Sequence, residues 1–505
     1  MTMNRRRFLQ TAGVGAGLGM TGASRAFHDR ISEGYASLQP GPGEIKNMRI
    51  LGYTDLGIPS APDGSALDPV TGIAWDRAYE IQVRGGYAYC SQQQGFSIVD
   101  VSNPRNMRVV FRYRNDPGPD NTQYIDIKDQ ILVQKTNGLL KMWDVSNPTA
   151  PVFLSSFAPP DIMVTRPNPT VFGSFGYHGL WVHKTRGGRF ALASVRLHGY
   201  TDQILMIVDI TNPSAPYELS RWHYPGMWTA GGETPTWPTD AGTPGQTGTP
   251  VQMHDVTAYG DRAYVAWRDK GVLIFDISNM ANPIKLGEIS WGDVSRPFNG
   301  ERFAPIASQV HSVGVKVPEG NGRPEYLFAG DEVGYCPGGY MHIIDARNET
   351  RPIEVSDFQL PFSRGGNCPY DRPVNRIAIH DIERMVRGNI VWCAWEEGGF
   401  WGADISDIHR PDVAGYFVPP VRSDSVRGTS HGDDVYVTRN GIIFGSGSDA
   451  GAGGLWAMRY APGLKGTVAW NTAEDDVIVT YNKKREKRRD DDDEKREKRR
   501  DDDDD

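Results

Sequence analysis

The stretch GFSIVDVSNP, from Gly95 to Pro104, decides the fold because it recurs along the chain. An apolar run ends in an Asp, a Ser or Thr and a Pro. This pattern is typical of a strand that stops in a turn, because Asp and Ser bond neighbouring backbone and Pro ends the strand. Close copies are GLLKMWDVSNP, ILMIVDITNP and GVLIFDISNMANP, weaker ones are GGYMHIIDARNETRP and GGFWGADISDIHRP, and a last trace is GGLWAMRY. Such self-similarity indicates a solenoid or a propeller.

Six of these motifs are followed by one more short strand, as in VVFRYRN or VFLSSF. The last motif lacks one, but RILGYTD, from Arg49 to Asp55, has the same character at the other end of the chain. A ring whose last blade takes its outer strand from the N-terminus is closed and hides its terminal edges. The sequence therefore predicts an all-β, seven-bladed β-propeller of four-stranded antiparallel blades over residues 49–482.

The segments FSIVDVSNP, LMIVDITNP and VLIFDISNMANP resemble the repeats of the LVIVD-repeat propellers. The resemblance covers roughly Arg49 to Tyr460, nearly all of the chain between its two atypical ends. It implies an architecture and no single activity, since a fold of this kind hosts many functions.

The two ends of the chain differ from the repeats. Residues 1–26 have a basic start, a short apolar run and small residues at Ser24 and Ala26, which indicates a cleavable signal peptide. The stretch from Arg5 to Leu9 resembles a twin-arginine signal. This resemblance implies that the twin-arginine machinery exports the folded, often cofactor-loaded protein to the periplasm or out of the cell. An ordinary Sec signal is the alternative. Residues 27–48 are predicted to be a linker. Residues 483–505 hold 11 basic, 12 acidic and no apolar residues, so they are predicted to be disordered.

Composition narrows the function classes. The net charge of −8 argues against nucleic-acid binding, and no membrane span is expected after signal removal.

Cys90 and Cys393 are expected in the core, whereas Cys336 and Cys368, both in loops, form either a disulfide or free thiols. Two long insertions, 56–77 and 224–250, are either lids or surface elaboration.

Five of the 11 histidines occupy one repeat position, the start of a blade's inner strand. Blade one has Tyr79 there, and blade two has Gln123 or Tyr124. Equivalent positions in a ring converge on its axis, so we expect imidazoles to gather at one mouth of the central channel. We call this set the histidine crown; its members are His178, His254, His311, His380 and His431.

Imidazole is a common ligand of Fe, Cu, Zn and Mn, so the histidine crown predicts a transition-metal site, with three or four of its members as ligands. The loops after the second strands open on the same face, where acids would orient the imidazoles. They carry Arg196, His198, Arg268, Asp269, Asp331, Glu332, Glu396 and Glu397, of which Glu396, Glu332, Arg196 and Arg268 are the catalytic candidates.

Two functions remain open from the sequence. The first is an exported metal-dependent enzyme, redox or hydrolytic, that acts on a small molecule at the histidine crown. The second is a non-catalytic propeller that binds an exported protein or glycan, with histidines that only bond the backbone of neighbouring blades.

Overall fold

The structure of the protein is a computed structural model that describes residues 40–56, 78–92, 95–115, 122–164, 176–236, 251–291, 309–320, 322–332, 339–361, 378–421, 430–447, 454–471 and 476–482. These residues form thirty β-strands and one 3-10 turn, Thr229–Gly231, and contain no α-helix. No helix in this part of the chain is long and apolar enough to cross a bilayer. The predicted signal peptide, the charged tail, Cys336 and Cys368 lie outside the described residues.

The first three four-stranded antiparallel groups follow the chain in order. The first contains β2 (Ala78–Arg84), β3 (Tyr87–Gln92), β4 (Gly95–Asp100) and β5 (Arg108–Arg114). The second contains β6 (Ile125–Lys128), β7 (Ile131–Lys135), β8 (Leu140–Asp144) and β9 (Val152–Phe157). The third contains β10 (Tyr177–Thr185), β11 (Gly188–Val195), β12 (Ile204–Asp209) and β13 (Tyr217–Trp222).

The next two groups repeat the arrangement. The fourth contains β14 (Asp255–Tyr259), β15 (Arg262–Ala266), β16 (Val272–Asp276) and β17 (Ile284–Ile289). The fifth contains β18 (Val310–Lys316), β19 (Tyr326–Asp331), β20 (Met341–Asp345) and β21 (Ile353–Phe358), and β23 (Met385–Val386) adds to it in parallel beside β18.

The remaining strands form one nine-stranded sheet that joins two further groups. The sixth group contains β22 (Ile379–Ile382), β24 (Ile390–Trp395), β25 (Gly399–Asp404) and β26 (Asp412–Phe417). The seventh contains β27 (Val435–Val437), β28 (Ile442–Gly447), β29 (Gly454–Asn471) and, as its outer strand, β1 (Glu44–Thr54). An unpredicted strand, β30 (Asp476–Tyr481), pairs with the far half of β29. The protein is an all-β propeller of four-stranded units.

The N-terminal strand closes the ring, as the sequence predicts. Its pairing with β29 runs from Glu44 opposite Thr467 to Thr54 opposite Leu455, so the strand starts inside the segment predicted to be a linker. It also pairs with β26 at Ile45 and Lys46, which joins the last two groups. Closure therefore fixes one blade to the next as well as completing the last blade.

The register of β1 against β29 shifts between Lys46 and Met48, at Asn47, which adopts a φ of 57°. Its side chain holds both neighbours, because Nδ2 donates to the carbonyl of Ala414 at 2.6 Å and Oδ1 accepts from the amide of Gly463 at 2.8 Å. Asn tolerates this left-handed conformation better than most residues. The bulge thus lets one strand serve two blades.

The repeat motif has the predicted turn chemistry. Each motif Asp ends the third strand of its blade, and its Oδ1 accepts the backbone N–H two residues later at 2.8–3.1 Å, which shapes the turn that the following Pro terminates. The six residues are Asp100, Asp144, Asp209, Asp276, Asp345 and Asp404.

Seven inner strands line the central channel, and six of the seven neighbouring pairs are in contact around the ring; between the last two groups, β24 contacts the inner strand β27. They are β2, β6, β10, β14, β18, β22 and β27. All of them run in the same direction, so their starts meet at one mouth of the channel and their ends at the other. Cys90 and Cys393, in the second strands of groups one and six, are buried free thiols, as expected of core residues.

Candidate metal centre

Four crown histidines lie side by side at the starts of consecutive inner strands. The ring centroids of His178 and His254 are 4.3 Å apart, and those of His254 and His311 are 3.9 Å apart. The next pair, His311 and His380, is separated by 4.4 Å. Tyr124, the blade-two residue at this repeat position, has its ring centroid 5.3 Å from that of His178. The repeat position therefore brings these rings together, although the strands are distant in sequence.

The fifth crown histidine, His431, is buried and is joined to the others indirectly. Its Nε2 lies 3.5 Å from Oδ1 of Asp433, and the backbone carbonyl of Asp433 lies 3.0 Å from Nδ1 of His380. His431 thus occupies the end of the row rather than its centre.

One ring nitrogen of two crown histidines bonds the next blade. Nδ1 of His254 donates to the carbonyl of His311 at 3.0 Å, and Nδ1 of His380 is placed to donate to the carbonyl of Asp433 at the same distance. A carbonyl only accepts, so Nδ1 of His254 carries the proton and its Nε2 keeps a lone pair when the ring is neutral. That lone pair faces Nε2 of His178 at 2.6 Å. The inter-blade bond therefore fixes the tautomer that leaves Nε2 available as a ligand.

Carboxylates complete two groups of donor atoms at the histidine crown. In the first, His254, His311 and Glu332 offer ligand atoms that all lie within 4.8 Å of one another. In the second, His311, His380 and Asp381 do the same. Imidazole nitrogen and carboxylate oxygen are ligands that suit Zn, Fe, Mn and Cu. His311 belongs to both groups, so it is the central residue of the candidate site.

The surroundings of His311 fit an ion better than an empty polar core. Its Nδ1 and Oδ1 of Asp381 are buried, neither has a hydrogen-bond partner among the described residues, and they lie 3.7 Å apart. On the other side, its Nε2 lies 3.6 Å from Oε2 of Glu332. Both separations are too long for a hydrogen bond, yet two ligands about 2.0–2.2 Å from one metal are separated by such distances. Buried polar atoms without partners cost free energy, so a cation that both atoms coordinate would remove that cost.

Burial and nearby cations keep most of the imidazoles in the form that binds metals. Burial, followed by the charges of Lys135 for His178 and Arg268 for His254, holds the pKa of both rings well below the usual value. Burial and the neighbouring His380 lower the pKa of His311 to about 3. These rings are therefore neutral at pH 7, and a metal ligand must be neutral.

His380 differs from the other rings because it has an acidic partner. Burial disfavours its charge, but the hydrogen bond from its Nδ1 to Oδ2 of Asp381 at 3.0 Å outweighs burial and raises the pKa of His380 to about 10. A carboxylate that bonds a ligand histidine in this way orients the ring.

The catalytic candidates predicted from the loops have separate positions. Nη1 of Arg268 donates to Oε2 of Glu332 at 2.7 Å, which places both at the histidine crown. Arg196 instead pairs with Asp202, to which its Nε donates at 3.0 Å, so the structure does not bring it to the histidines. Glu396 is buried, and its backbone carbonyl accepts the amide of Gly432, the residue after His431, at 3.2 Å.

Asp331, which the sequence placed with Glu332, turns away from the crown. Its Oδ2 contacts Nε2 of His342 at 2.8 Å, and the other nitrogen of His342 contacts Oε1 of Glu354 at 2.7 Å. The side chains of adjacent residues in a strand point to opposite faces, which explains why those of Asp331 and Glu332 diverge.

The sequence analysis did not identify Lys135 or the buried charges inside the channel. Lys135 ends β7 and is fully buried near His178. Deeper in the channel, Nη2 of Arg384 donates to Oε1 of Glu80 at 2.6 Å and lies 3.1 Å from Oδ2 of Asp255. A charged residue in an otherwise apolar strand, as in ILVQK, was the available signal for Lys135.

The predicted lid from Tyr224 to Pro250 is described only to residue 236. That part is a compact turn held by Glu233, whose Oε2 accepts the amides of Gly226 at 2.7 Å and Trp228 at 3.1 Å. The other predicted lid, residues 56–77, lies outside the described residues apart from Leu56 at its start, which is buried.

Comparison with known proteins supports the repeat. The model of the LVIVD repeat matches residues 76–115, 133–158, 199–223 and 252–289, which fall in the first four blades. The chain therefore contains LVIVD repeats. No curated protein sequence matches it.

Solved structures similar to the chain share little sequence with it. The WD40 repeats of RRP9 have a TM-score of 0.46 and 8% identity, with 83% of this chain and 96% of that chain covered. The β-propeller domain of Cps50 (Swd1) from Myceliophteria thermophila has a TM-score of 0.46 and 10% identity, with 75% and 96% covered. The N-terminal domain of Nup159 has a TM-score of 0.44 and 11% identity, with 83% and 97% covered. Structural similarity with TM-scores and identities this low does not indicate a ligand or an activity for the chain.

Proposed function

We propose that the histidine crown binds a transition metal and that the protein is a metal-dependent enzyme, redox or hydrolytic, whose site lies at one mouth of the propeller channel. The observation that carries the proposal is the pair of donor groups that share His311, each with ligand atoms within 4.8 Å of one another. The ion would be held either by His254, His311 and Glu332 or by His311, His380 and Asp381, and in the second group His380 would lose a proton on binding. The metal would act as a Lewis acid or an electron carrier for a small-molecule substrate.

The chain's own residues would prepare the site in three ways. The bond from Nδ1 of His254 to the carbonyl of His311 orients that ring. The bond between His380 and Asp381 orients a second ring. Arg268, which donates to Glu332 at 2.7 Å, offers a cation to an acidic group of a substrate.

Metal content per folded protein tests this proposal. We expect His311→Ala to reduce bound metal well below one equivalent, because His311 belongs to both donor groups. His183→Ala is the matched control: His183 is also buried on an inner strand, but its Nε2 bonds the carbonyl of Gly260 at 2.8 Å, away from the crown. Its loss should cost on the order of 1–3 kcal/mol of stability and no metal. Wild-type protein purified metal-free from its native host, without stabilisation by Fe, Cu, Zn or Mn, would overturn the proposal.

A non-catalytic propeller that binds an exported protein or glycan is the second candidate function. The bonds from His254 and His380 to the backbone of the next blade favour it, because they give both rings a structural role. In that case His254→Ala lowers the melting temperature, and added metal changes the melting temperature of neither the variant nor the wild type.

We also propose export by the twin-arginine route, on the strength of the stretch from Arg5 to Leu9. Folded export suits a metal that is loaded before translocation. Replacing Arg5 and Arg6 with Lys should retain the protein in the cytoplasm, as fractionation of the native host would show. Unchanged export of this variant would favour an ordinary Sec signal.

A further inference from the structure

The opposite mouth of the channel is a cavity of about 920 Å³ at the ends of the inner strands. Besides Arg384 at its floor, six cationic side chains line it, contributed by five of the seven blades. We call this cavity the basic mouth; its cations are Arg84, Lys128, Lys184, Arg186, Arg387 and Arg439. A cavity of this size falls within the usual range of small-molecule sites, roughly 300–1,000 Å³.

The positive charge of the basic mouth is only partly balanced. Arg84 and Lys184 share Asp129, at 3.7 and 2.6 Å. Within the described part of the chain, Lys128, Arg186 and Arg439 have no carboxylate within 4.0 Å. Several like charges that converge in a concave site with little compensation attract an anion.

Three of the four acids that line the cavity are engaged by other groups. Asp261, on the wall, lies 3.1 Å from Nη2 of Arg323 and 3.0 Å from Nη1 of Arg262. Deeper in the cavity, Oδ1 of Asp126 accepts the amide of Ile127 at 2.7 Å, and its Oδ2 accepts that of Val182. Asp434 likewise accepts two backbone amides, at 2.7 Å each. Glu383, the fourth acid, is buried in the lining.

The floor separates this cavity from the histidine crown. Arg384 forms this floor, because it pairs with Glu80 and Asp255 across the channel. Its guanidinium carbon lies 5.5 Å from the ring centroid of Trp181. Along β10, His178 and Thr185 are seven residues apart, roughly 23 Å at about 3.3 Å per residue. Trp181, Tyr259 and Tyr436 give the walls flat apolar surface. The two mouths are therefore chemically distinct sites.

We propose that the basic mouth binds a small organic polyanion that carries two or more carboxylate or phosphate groups. The cations at the rim take the anionic groups, and the aromatic walls take the organic body. A small molecule fits better than a nucleic acid, because the site is concave and the whole chain carries a net charge of −8. The proposal does not depend on metal at the histidine crown.

Pyrenetetrasulfonate is a suitable first probe, because it is fluorescent, flat and anionic, and sulfonates coordinate metals poorly. Its anisotropy is measured with the full chain at low and at physiological salt. We expect saturable binding that the double variant Arg186→Gln/Arg439→Gln weakens at least about tenfold. The matched control is Arg351→Gln/Arg410→Gln, which removes the same charge from exposed turns after third strands and should bind as wild type does.

Equal weakening in both double variants, or no saturable binding, would overturn the proposal. The chemistry of the natural ligand is then narrowed by competition with tricarballylate, a tricarboxylate, and with fructose 1,6-bisphosphate. Displacement by either supports a polyanion site and identifies the preferred group, whereas displacement by neither overturns it. His311→Ala should keep full probe binding, so a failed metal proposal leaves this result unaffected.

Discussion

The two mouths of the channel are built from opposite ends of the same seven strands, yet their chemistry is opposite. At the histidine crown, the polar side chains are buried or half-buried imidazoles, mostly neutral, that contact one another from blade to blade. At the basic mouth, they are cations with few acidic partners, and all of them except the half-buried Lys128 are exposed. The difference shows that a repeated fold supplies equivalent positions, and that the residue type at each position decides which ligand the ring suits.

Deleting β1 should have the largest effect, because it damages both mouths at once. Without residues 1–54, β26 and β29 lose their shared partner and two strand edges become exposed. We expect this truncation to aggregate or to melt more than about 10 °C below the full chain. Deletion of residues 1–39 alone is the control and should melt as the full chain does. An unchanged melting temperature for the longer truncation would contradict ring closure by β1.

Arg384→Met should have the next largest effect, because Arg384 separates the two mouths. The substitution leaves Glu80 and Asp255 buried without their cation. Breaking a buried pair in this way costs about 3–5 kcal/mol, which urea unfolding would measure. Arg384→Lys, which keeps a charge, should cost less. A loss below about 1 kcal/mol for the Met variant would mean that the acids are neutral in the folded protein.

Asp381→Asn should affect one mouth only. Asp381 bonds His380 and belongs to a donor group, so its neutralisation should lower metal affinity about 10–100-fold in a competition with a chromophoric chelator. Asp261→Asn, at the basic mouth, is the matched control and should leave metal affinity unchanged. Equal loss in both variants would indicate a general charge effect rather than a site at the histidine crown.

His342 provides a reference outside both mouths and should give the smallest effect. Burial disfavours its charge, but the charge of Asp331 and the hydrogen bonds outweigh burial and raise the pKa of His342 to about 9. Its pair with the carboxylates therefore stabilises the fold below pH 6.5, and this contribution is lost as the pH rises through about 9.

Urea unfolding of wild type and His342→Gln across this pH range measures the effect. The advantage of wild type should shrink with rising pH by on the order of 1 kcal/mol, since Glu354 is partly exposed. An advantage that stays constant with pH would mean that His342 is neutral in the folded protein.

The sequence alone determined the fold and the position of the histidines along their strands. A motif that recurs with the same Asp, Ser and Pro specifies one strand and one turn each time, so its repetition identifies the blades. The same reasoning places His254 and His311 at equivalent points of neighbouring blades. It also applies to the basic mouth, because Arg84, Lys128 and Arg439 end or follow inner strands, although the sequence analysis did not use this signal.

Only the tertiary structure decided which atoms meet. The sequence does not show that His311 stands between Asp381 and Glu332, or that Asp331 turns instead to His342. It does not show that Arg196 is engaged by Asp202, or that Arg384 spans the channel to Glu80, since these pairings depend on where loops and distant strands converge. Repetition fixes positions along a strand, because local backbone geometry is encoded locally, whereas side-chain partners across a ring depend on the closure of the whole propeller.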